Sequence, residues 1–433
     1  GSWSDPASSS SGPRTIGQAR LVSIEPLPTP EGEYCEWVPA SASQTLAASL
    51  QQSAAAVRQA AREDISQRTP LLIIRDPHAT FSSVAVDPRR NEMIATDENL
   101  FQILVYDRTA NTPPTATMTE PKRIIGGRQT KIEFQCALYI DPESGDIYAV
   151  NNDTVDTLVI FSREARGNVP PTRELYTPHG TFGIAVDERN QEMFLSVQHS
   201  NAVVVYPKTA QKDDPPIRLL QGVRTRLTDP HGIAIDTKNN LLFVANHGNH
   251  REFLPGVGAF FGRTSANPNW PLRRTVPGSG QTFPSTITVY ALNARGDTPP
   301  LRVIEGPRTQ LNWPAGMTVD PDRGELFVAN DAGDSVLVFS VTAQGDAAPV
   351  RVLKGPRSGV KNPTSVFVDK QNDELWVANF GNHTATVYRP TAGGDTPPLR
   401  TIRSAPADQP ALMIGNPGSV AYDSKREEIL VPN

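Results

Sequence analysis

Cysteine is almost absent from this chain of 433 residues, which has only Cys35 and Cys136. Two cysteines do not make a disulfide framework of the kind that small secreted domains use. Clusters of lysine and arginine are also missing and the net charge is -5, which argues against nucleic acid as a partner. No apolar run approaches the roughly 18 residues that a membrane span requires, so we expect no transmembrane segment.

Local enzyme motifs are missing as well. The sequence has no G-x-S-x-G elbow, H-E-x-x-H, P-loop or dinucleotide fingerprint. Their absence favours a binding or assembly role. It does not exclude an enzyme, because some folds build their sites from residues scattered along the chain.

What the sequence does contain is a short apolar run that ends in aspartate and recurs seven times. The copies end at Asp87, Asp141, Asp187, Asp236, Asp320, Asp369 and Asp423. A second run follows each copy, such as ELFVAN at residues 325–330, and a third follows six of them. One longer interval contains an insertion at residues 250–285. Because four strands per roughly 40 to 50 residues are the signature of a β-propeller, we expect an all-β, seven-bladed propeller.

The repeats also predict how the last blade is completed. Two strands remain at the C-terminus, at residues 419–422 and 428–432, while residues 71–74 form a surplus fourth strand and residues 21–24 a candidate third. The ring would then be closed by strands from both termini, which removes exposed sheet edges. We therefore divide the chain into an extended tail (1–18), a closing strand plus helical insertion (19–70) and the propeller (71–433).

Residues 43–67 carry the one good helical pattern of the sequence. Its apolar face is formed by Leu46, Leu50, Ala54, Val57, Ala61 and Ile65. Ser41 or Ser43 can cap the start of this helix. We expect the helix to pack outside the ring, on its own propeller or on a neighbour.

The motifs P-x-G-I-A-V-D, x-L-F-V-A-N and S-V-x-V-F resemble those of NHL-repeat and YVTN-type β-propellers, from about Leu71 to Asn433. Relatives with this pattern include peptidyl-hydroxyglycine lyase, streptogramin lyase, lactonases and many secreted proteins that only bind, so fold alone does not choose a function. The resemblance implies a secreted bacterial protein, extracellular or periplasmic. It also implies a zinc site, since the amidating lyase binds zinc with channel histidines from separate blades.

All seven histidines are expected on one face of the ring. The loops that join second to third strands, and successive blades, share this face, which we call the top. His78, His179 and His231 precede inner strands, whereas His199, His247, His250 and His383 follow second strands. They are either ordinary polar loop residues or neutral imidazoles that bind zinc or move a proton. His231 is the best candidate because it should face the channel mouth, and Cys136 holds the equivalent position in another blade.

Repeated charged positions have two interpretations. The seven strand-end aspartates could form a calcium-binding ring, but an aspartate that opens a turn bonds the backbone two residues on, which explains it in every blade. Arg128, Arg224, Arg308 and Arg357 recur after fourth strands. They either pair with loop carboxylates or carbonyls, or form an anion-binding ring.

The insertion at residues 250–285 is apolar and rich in glycine and proline. A loop this long in a compact domain is usually functional, as a lid over the channel or as a contact surface. We expect a non-catalytic extracellular propeller that assembles with copies of itself through Trp3, Phe260, Phe261 and Trp270. The alternative is a metal-dependent enzyme, similar to a lyase or lactonase, with a top-face histidine site.

Overall fold

The structure, a computed structural model, describes a subset of the chain. The described residues are 76–152, 155–254, 259–260, 263–264, 267–272, 274–412, 421–423, 425 and 428–430. Over these residues the chain is an all-β propeller, as predicted, and none of its helices could cross a membrane. The predicted tail (1–18), the helix (43–67) and the strands at 21–24 and 71–74 lie outside the described residues.

Six antiparallel four-stranded sheets form the blades. Blade 1 contains β1 (Phe81–Asp87), β2 (Glu92–Asp97), β3 (Gln102–Asp107) and β4 (Arg123–Gly126). Blade 2 contains β5 (Gln135–Ile140), β6 (Ile147–Asn151), β7 (Thr157–Phe161) and β8 (Arg173–Tyr176). Blade 3 contains β9 (Thr181–Asp187), β10 (Glu192–Val197), β11 (Ala202–Pro207) and β12 (Arg218–Gln221). Blade 4 contains β13 (Pro230–Asp236), β14 (Leu241–Asn246), β19 (Thr286–Ala291) and β20 (Arg302–Ile304), with the insertion strands β15 (Asn249–His250), β16 (Ala259–Phe260), β17 (Arg263–Thr264) and β18 (Gln281–Thr282) between its second and third strands.

Blades 5 and 6 complete the ring. Blade 5 contains β21 (Pro314–Asp320), β22 (Glu325–Asn330), β23 (Ser335–Ser340) and β24 (Arg351–Leu353). Blade 6 contains β25 (Pro363–Asp369), β26 (Glu374–Asn379), β27 (Thr384–Tyr388) and β28 (Arg400–Arg403). A separate hairpin follows, β29 (Ala421–Asp423) with β30 (Glu428–Leu430). Short 3-10 turns occur at Arg128–Thr130, Gln198–Ser200, Val223–Thr225, Pro307–Thr309, Asp331–Gly333 and Phe380–Asn382.

The second strand of each blade is apolar on both faces because a neighbouring blade covers each face. In blade 5, Leu326 and Val328 pack against blade 4, while Phe327 and Ala329 pack against blade 6. All four side chains are fully buried. Burial is worth roughly 1.5 to 3 kcal/mol for each large one. A strand that is buried on both faces has apolar residues at successive positions. This is why apolar and polar residues do not alternate in the repeat motif.

The ring closes by direct packing of blade 6 on blade 1. Phe81 of blade 1 and Trp376 of blade 6 are both fully buried in one apolar cluster. Thr364 Oγ1 donates a hydrogen bond to the carbonyl oxygen of Phe81 (3.3 Å), and the hydroxyls of Ser83 and Ser365 lie 3.2 Å apart. The described residues therefore form a closed ring of six blades.

This ring differs from the seven blades that the repeat count predicts. The seventh copy does form two paired strands, β29 and β30, close to the predicted bounds. The direct contact between blades 6 and 1 leaves no place between them for a further blade. A repeat count shows how many copies of the motif exist, but packing between inner strands decides how many of them enter the ring.

Outer strands are joined to the next blade by its loop between third and fourth strands. The bridges are Ile125–Gly167, Leu175–Lys212, Leu220–Gly296, Ile304–Gly345 and Leu353–Gly394. Blade 1 closes the ring in a similar way, since Thr112 N donates to the carbonyl oxygen of Thr401 (2.7 Å) and Arg403 N to Thr112 Oγ1 (2.8 Å).

The recurring arginines and the strand-end aspartates were predicted to pair with loop groups and to form turns. The structure confirms this wherever it describes their partners. Arg224, Arg308 and Arg357 pair with aspartates of the next blade's loop: Asp297, Asp346 and Asp395. The strand-end aspartates Asp87, Asp141, Asp187, Asp320 and Asp369 each accept a hydrogen bond from the backbone N–H two residues on, and Asp236 from the one three residues on. These turns account for the aspartates without calcium.

Part of the insertion lies along the side of blade 3. Leu272 N donates to Gln221 Oε1 (3.1 Å), and Asn269 Nδ2 donates to the carbonyl oxygen of Pro216 (3.3 Å). Trp270 packs against the core of blades 2 and 3. The segment 267–272 therefore covers the outer wall of the propeller, not the channel.

Candidate functional site at the channel mouth

One residue in each blade directly follows the second strand and lies on the top face. These are Glu98, Asn152, Gln198, His247, Asp331 and Phe380, in blades 1 to 6. The backbone N–H of each donates to a carbonyl just before the inner strand of its own blade, at 2.8 to 3.3 Å. Because the hydrogen bond is the same in all six blades, the six residues occupy equivalent positions, which we call the mouth ring.

Six of the seven histidines form three ring contacts on the top face. His78 meets His383 edge to face at 5.8 Å between ring centroids, His179 stacks on His199 at 5.1 Å, and His231 stacks on His247 at 3.3 Å. His250 instead contacts Phe283 and the amide of Asn201. The tightest contact therefore involves His231, the residue that the sequence favoured.

The tautomer of His231 follows from its partners. Its Nδ1 lies 2.9 Å from the backbone carbonyl oxygen of Asp229, which can only accept, so Nδ1 carries the proton. Gln198 accepts from Asn152 through Oε1, so its NH₂ group faces His231 Nε2. That nitrogen therefore accepts a hydrogen bond from Gln198.

His247 stacks beside His231 and has a ring nitrogen of its own to offer. Burial holds its pKa well below the ordinary value, nearby His231 lowers it further, and a hydrogen bond to the backbone of Pro314 opposes both. Proline has no N–H, so its carbonyl must accept this hydrogen bond. The buried Nε2 atom of His247 has no hydrogen-bond partner among the described residues. His247 is therefore a neutral imidazole with an unused ring nitrogen.

Asp229 adds a carboxylate to the two imidazoles. Ligand atoms from Asp229, His231 and His247 all lie within 4.8 Å of one another. Asn249 Nδ2 donates to Asp229 Oδ2 (2.8 Å) and fixes that carboxylate. Two neutral imidazoles and one carboxylate form a donor set suited to zinc. All three come from blade 4, unlike the separate blades that the resemblance implies.

Aromatic rings flank the two histidines. Phe182 lies 4.5 Å from the ring of His231, and Trp313 stacks on His247 at 5.0 Å. Trp313 is 52% exposed and has a left-handed backbone with φ of 53°. Bulky residues rarely adopt this conformation, and such positions cluster at functional sites.

The mouth ring also contains two carboxyl groups, Glu98 in blade 1 and Asp331 in blade 5. Burial raises the pKa of Glu98 to about 8, the charges of Asp97 and Asp331 raise it as well, and a hydrogen bond with Cys136 opposes the shift. Burial likewise raises the pKa of Asp331, although Asn362 donates to it. Below the mouth, the inner strands line a cavity of about 220 Å³, whose walls include Cys136, Phe182 and Phe367.

The remaining predicted site residues lie apart from this cluster. His179 Nδ1 contacts Asp156 (3.0 Å), and the fully buried His383 pairs with Asp76 (3.1 Å) where the ring closes. Both contacts serve packing between segments. Trp3 and Phe261 lie outside the described residues, and Phe260 is described only as part of strand β16.

The sequence motifs predicted His231 and His247 as site residues, but not Asp229. Gln198, Glu98 and Asp331 follow second strands as His247 does, but only histidines were predicted there. The signal was present, since each residue directly follows a recognisable second strand, as in ELFVAN-D and LLFVAN-H.

The fold and this site define a β-propeller with a histidine and carboxylate cluster at one channel mouth. The NHL repeat family matches residues 227–253, a span that contains all three cluster residues, and the family described as lactonase, 7-bladed beta-propeller, matches residues 280–411. The protein is an NHL/YVTN-type β-propeller.

Comparison with individual proteins adds little detail. No curated protein matches the sequence. Among the solved structures that match is the hydrazine synthase of Kuenenia stuttgartiensis, at 13% identity and a TM-score of 0.48, over 75% of this chain and 99% of that one.

Proposed function

We propose that the protein binds a divalent metal of the zinc class through Asp229, His231 and His247, and that this metal helps to hold a small ligand at the channel mouth. The carrying observation is that ligand atoms of Asp229, His231 and His247 lie within 4.8 Å of one another, while the buried Nε2 of His247 has no hydrogen-bond partner among the described residues.

The electrostatics of the cluster favour a cation. The Nδ1 atom of His231 is oriented by the backbone carbonyl of Asp229, which is how metal-binding histidines are commonly held. Two lone pairs and a carboxylate concentrate negative potential in a site where burial penalises protonation of His247. The two rings are stacked and inclined by only 16°, so both must rotate until their planes meet at one ion, and the amide of Gln198 must leave His231 Nε2.

Three protein ligands are typical of catalytic zinc sites, which keep a position open for water or substrate. Structural zinc sites usually have four protein ligands. The donor count therefore supports a site that acts on or presents a ligand, and it favours the metal-dependent alternative over a purely structural propeller.

Metal analysis tests this function. Purified protein dialysed against zinc should retain about one equivalent per chain. Asp229→Asn, which conserves shape, and His247→Ala should lower retention to background, while His199→Ala on the same face should not. Wild-type protein that retains no zinc, or variants that retain as much as wild type, would contradict the proposal.

A second candidate function is self-association through the top face. Leu254 (37% exposed) and Phe283 (43% exposed) lie near the two ends of the insertion, and Trp313 is exposed at the start of blade 5. Exposed apolar groups clustered on one face favour a protein contact. Mass photometry and gel filtration over a range of concentrations test this candidate. A Phe283→Ser variant should dissociate faster on dilution, and a protein that is monomeric at high concentration would rule self-association out.

The extracellular or periplasmic location stays a prediction from the resemblance. Fractionation of the source cells is its test.

A further inference from the structure

We propose that the closure between blades 6 and 1 is a pH-sensitive latch, which stays shut while a buried group of ionisable side chains keeps one proton and loosens when that proton is lost. The group consists of Asp76, Asp97 and His383, which we call the closure cluster. It shares no residue with the metal cluster of blade 4, so this inference stands apart from the proposed function.

The closure cluster joins segments from the two ends of the ring. Thr80 N, just before the inner strand of blade 1, donates to Asp97 Oδ1 (2.7 Å). Leu412 N, which follows blade 6, donates to Asp76 Oδ2 (3.3 Å). The described chain therefore enters and leaves the ring at these two carboxyl groups.

His383 connects blade 6 to the same place. Its Nδ1 lies 2.8 Å from the carbonyl oxygen of Ala79, which can only accept, and its Nε2 lies 3.1 Å from Asp76 Oδ2. The second contact lacks the geometry of a hydrogen bond, so it is an electrostatic contact. Because both ring nitrogens face acceptors, this arrangement favours an imidazolium that balances the charge of Asp76.

The number of charges in the closure cluster determines its response to protons. Asp97 and His383 are fully buried, and Asp76 is 8% exposed. With one imidazolium and two carboxyl groups, the cluster is neutral only if one carboxyl group keeps its proton. Loss of that proton leaves a net negative charge in a site with little access to water, which is costly.

Asp97 is the carboxyl group that keeps the proton. Its pKa is raised to about 7, mainly by burial; hydrogen bonds from the backbone N–H groups of Thr80, Asn99 and Leu100 oppose this shift, and the charge of Asp76 adds to it. In an opened state, an aspartate regains its ordinary pKa of 3.8. The closed state therefore binds the proton more tightly, so the latch is tightest at acidic pH, loosens as the pH rises to about 7, and changes little above it.

The same position in four other blades cannot titrate. The second strands of blades 2, 4, 5 and 6 end in an asparagine: Asn151, Asn246, Asn330 and Asn379. The side-chain oxygen of each accepts from a backbone N–H just before the inner strand of its own blade, as Asp97 accepts from Thr80. An amide is therefore sufficient for this hydrogen bond. Among the six blades that the structure describes, only blade 1 has an ionisable side chain here.

Neighbouring ionisable groups act in the same direction. Burial and the charge of Asp97 raise the pKa of Glu98 to about 8 and that of Tyr106 beyond the neutral range. Glu98 therefore adds negative charge beside the cluster only as the pH rises, while Tyr106 stays neutral. The ring of His78 meets that of His383 at 5.8 Å and can only lose positive charge as the pH rises. These neighbours reinforce the loosening and do not oppose it.

Opening of the latch extends to the mouth ring. Glu98 N donates to the carbonyl oxygen of Thr80 (3.3 Å), and Ala411 N donates to the carbonyl oxygen of Gly381 (3.1 Å), the residue after Phe380. Two adjacent positions of the mouth ring are therefore held by the segments that meet at the closure cluster. A loosened cluster frees this side of the mouth.

Hydrogen exchange of the full chain at pH 5 and pH 7.5, corrected for the pH dependence of intrinsic exchange, tests the inference. We expect the protection of the Thr80, Glu98 and Leu412 amides to fall at least about tenfold at the higher pH, because ionisation of Asp97 disfavours the closed state. Asp97→Asn, which introduces the residue that four other blades have here, should lose most of this change.

Asp76→Asn is the second variant. Without the charge of Asp76, the cluster is neutral when Asp97 is ionised, so the fall in protection should shrink here as well. The amides of Thr228 and Asn312, which bond asparagine oxygens at two other blade junctions, are the internal control and should change much less than the amide of Thr80. Thermal melting checks that each variant is folded.

Three results would overturn the inference. Wild-type protection at Thr80 and Leu412 that is equal at the two pH values would show that no proton controls the closure. A fall of the same size in both variants would remove Asp97 and Asp76 as its cause. A fall that is equally large at Thr228 and Asn312 would mean that the whole ring loosens and that the junction between blades 6 and 1 has no special role.

Discussion

Burial at the mouth favours the neutral forms of single ionisable residues. Glu98 has a pKa of about 8 instead of the ordinary 4.5, because burial disfavours its charged form. His247 is kept neutral by the same cause. Shifts of this kind accumulate at functional sites, where they keep acids protonated and imidazoles free to act as ligands.

The shift of Glu98 predicts a pH dependence of stability. The folded state holds this proton more tightly than the unfolded state, so the free energy of unfolding should fall as pH rises from about 5 to about 8. Glu98→Gln cannot ionise and should escape this loss. Urea unfolding at both pH values should show a larger stability advantage of the variant at pH 8 than at pH 5. An equal difference at the two values would contradict the assigned shift.

At the scale of elements, the blades are fastened by a glycine and an aspartate that face each other. Gly306 has φ of +119°, and a Cβ built there would lie 2.6 Å from Asp346 Oδ1. Asp346 accepts from the backbone of Arg308 (2.7 Å) and so ties blade 4 to blade 5. The arginine-glycine-aspartate tripeptide that ends at Asp297 performs the same task between blades 3 and 4.

Gly306→Ala should therefore destabilise the protein by about 2 kcal/mol or more, from backbone strain plus displacement of Asp346. Gly345 is the matched control, because its φ is +60° and a Cβ there would meet nothing within 4 Å. Gly345→Ala should cost only the smaller strain of about 1 kcal/mol. Chemical denaturation measures the loss of stability in both variants. Equal losses would show that the contact between Gly306 and Asp346 adds nothing to stability.

Elements of this fold were predictable because they are local. The strand runs, the turns at Asp87 and its counterparts, and the top-face placement of the histidines all follow from short motifs. The meeting of His231 with Asp229 and His247 was only partly predictable. Sequence spacing places these residues on one face, but packing of Trp313 and Phe182 around them decides which ring nitrogens are exposed to the mouth.

At the scale of the whole molecule, the ring of six blades is complete without the last hairpin. The contacts of Phe81 with blade 6 and of Arg403 with Thr112 close it. The number of blades was the part of the fold that the sequence could not decide, because a seventh copy of the motif exists but has no place between β25 and β1.

Deletion of residues 413–433 should therefore leave a folded propeller. We expect cooperative thermal unfolding with a midpoint within a few degrees of the full chain, since the described contacts of β29 and β30 are with each other. Loss of cooperative unfolding in the truncated protein would show instead that the C-terminal strands contribute to ring closure.

The central claim is that Asp229, His231 and His247 hold a metal at the mouth of this ring. Anomalous diffraction from zinc-soaked crystals, recorded on both sides of the zinc absorption edge, tests it most directly. We predict one strong peak within bonding distance, about 2.0 to 2.1 Å, of both imidazoles. A map with no peak at this cluster, or with peaks only at surface histidines such as His199, would contradict the account.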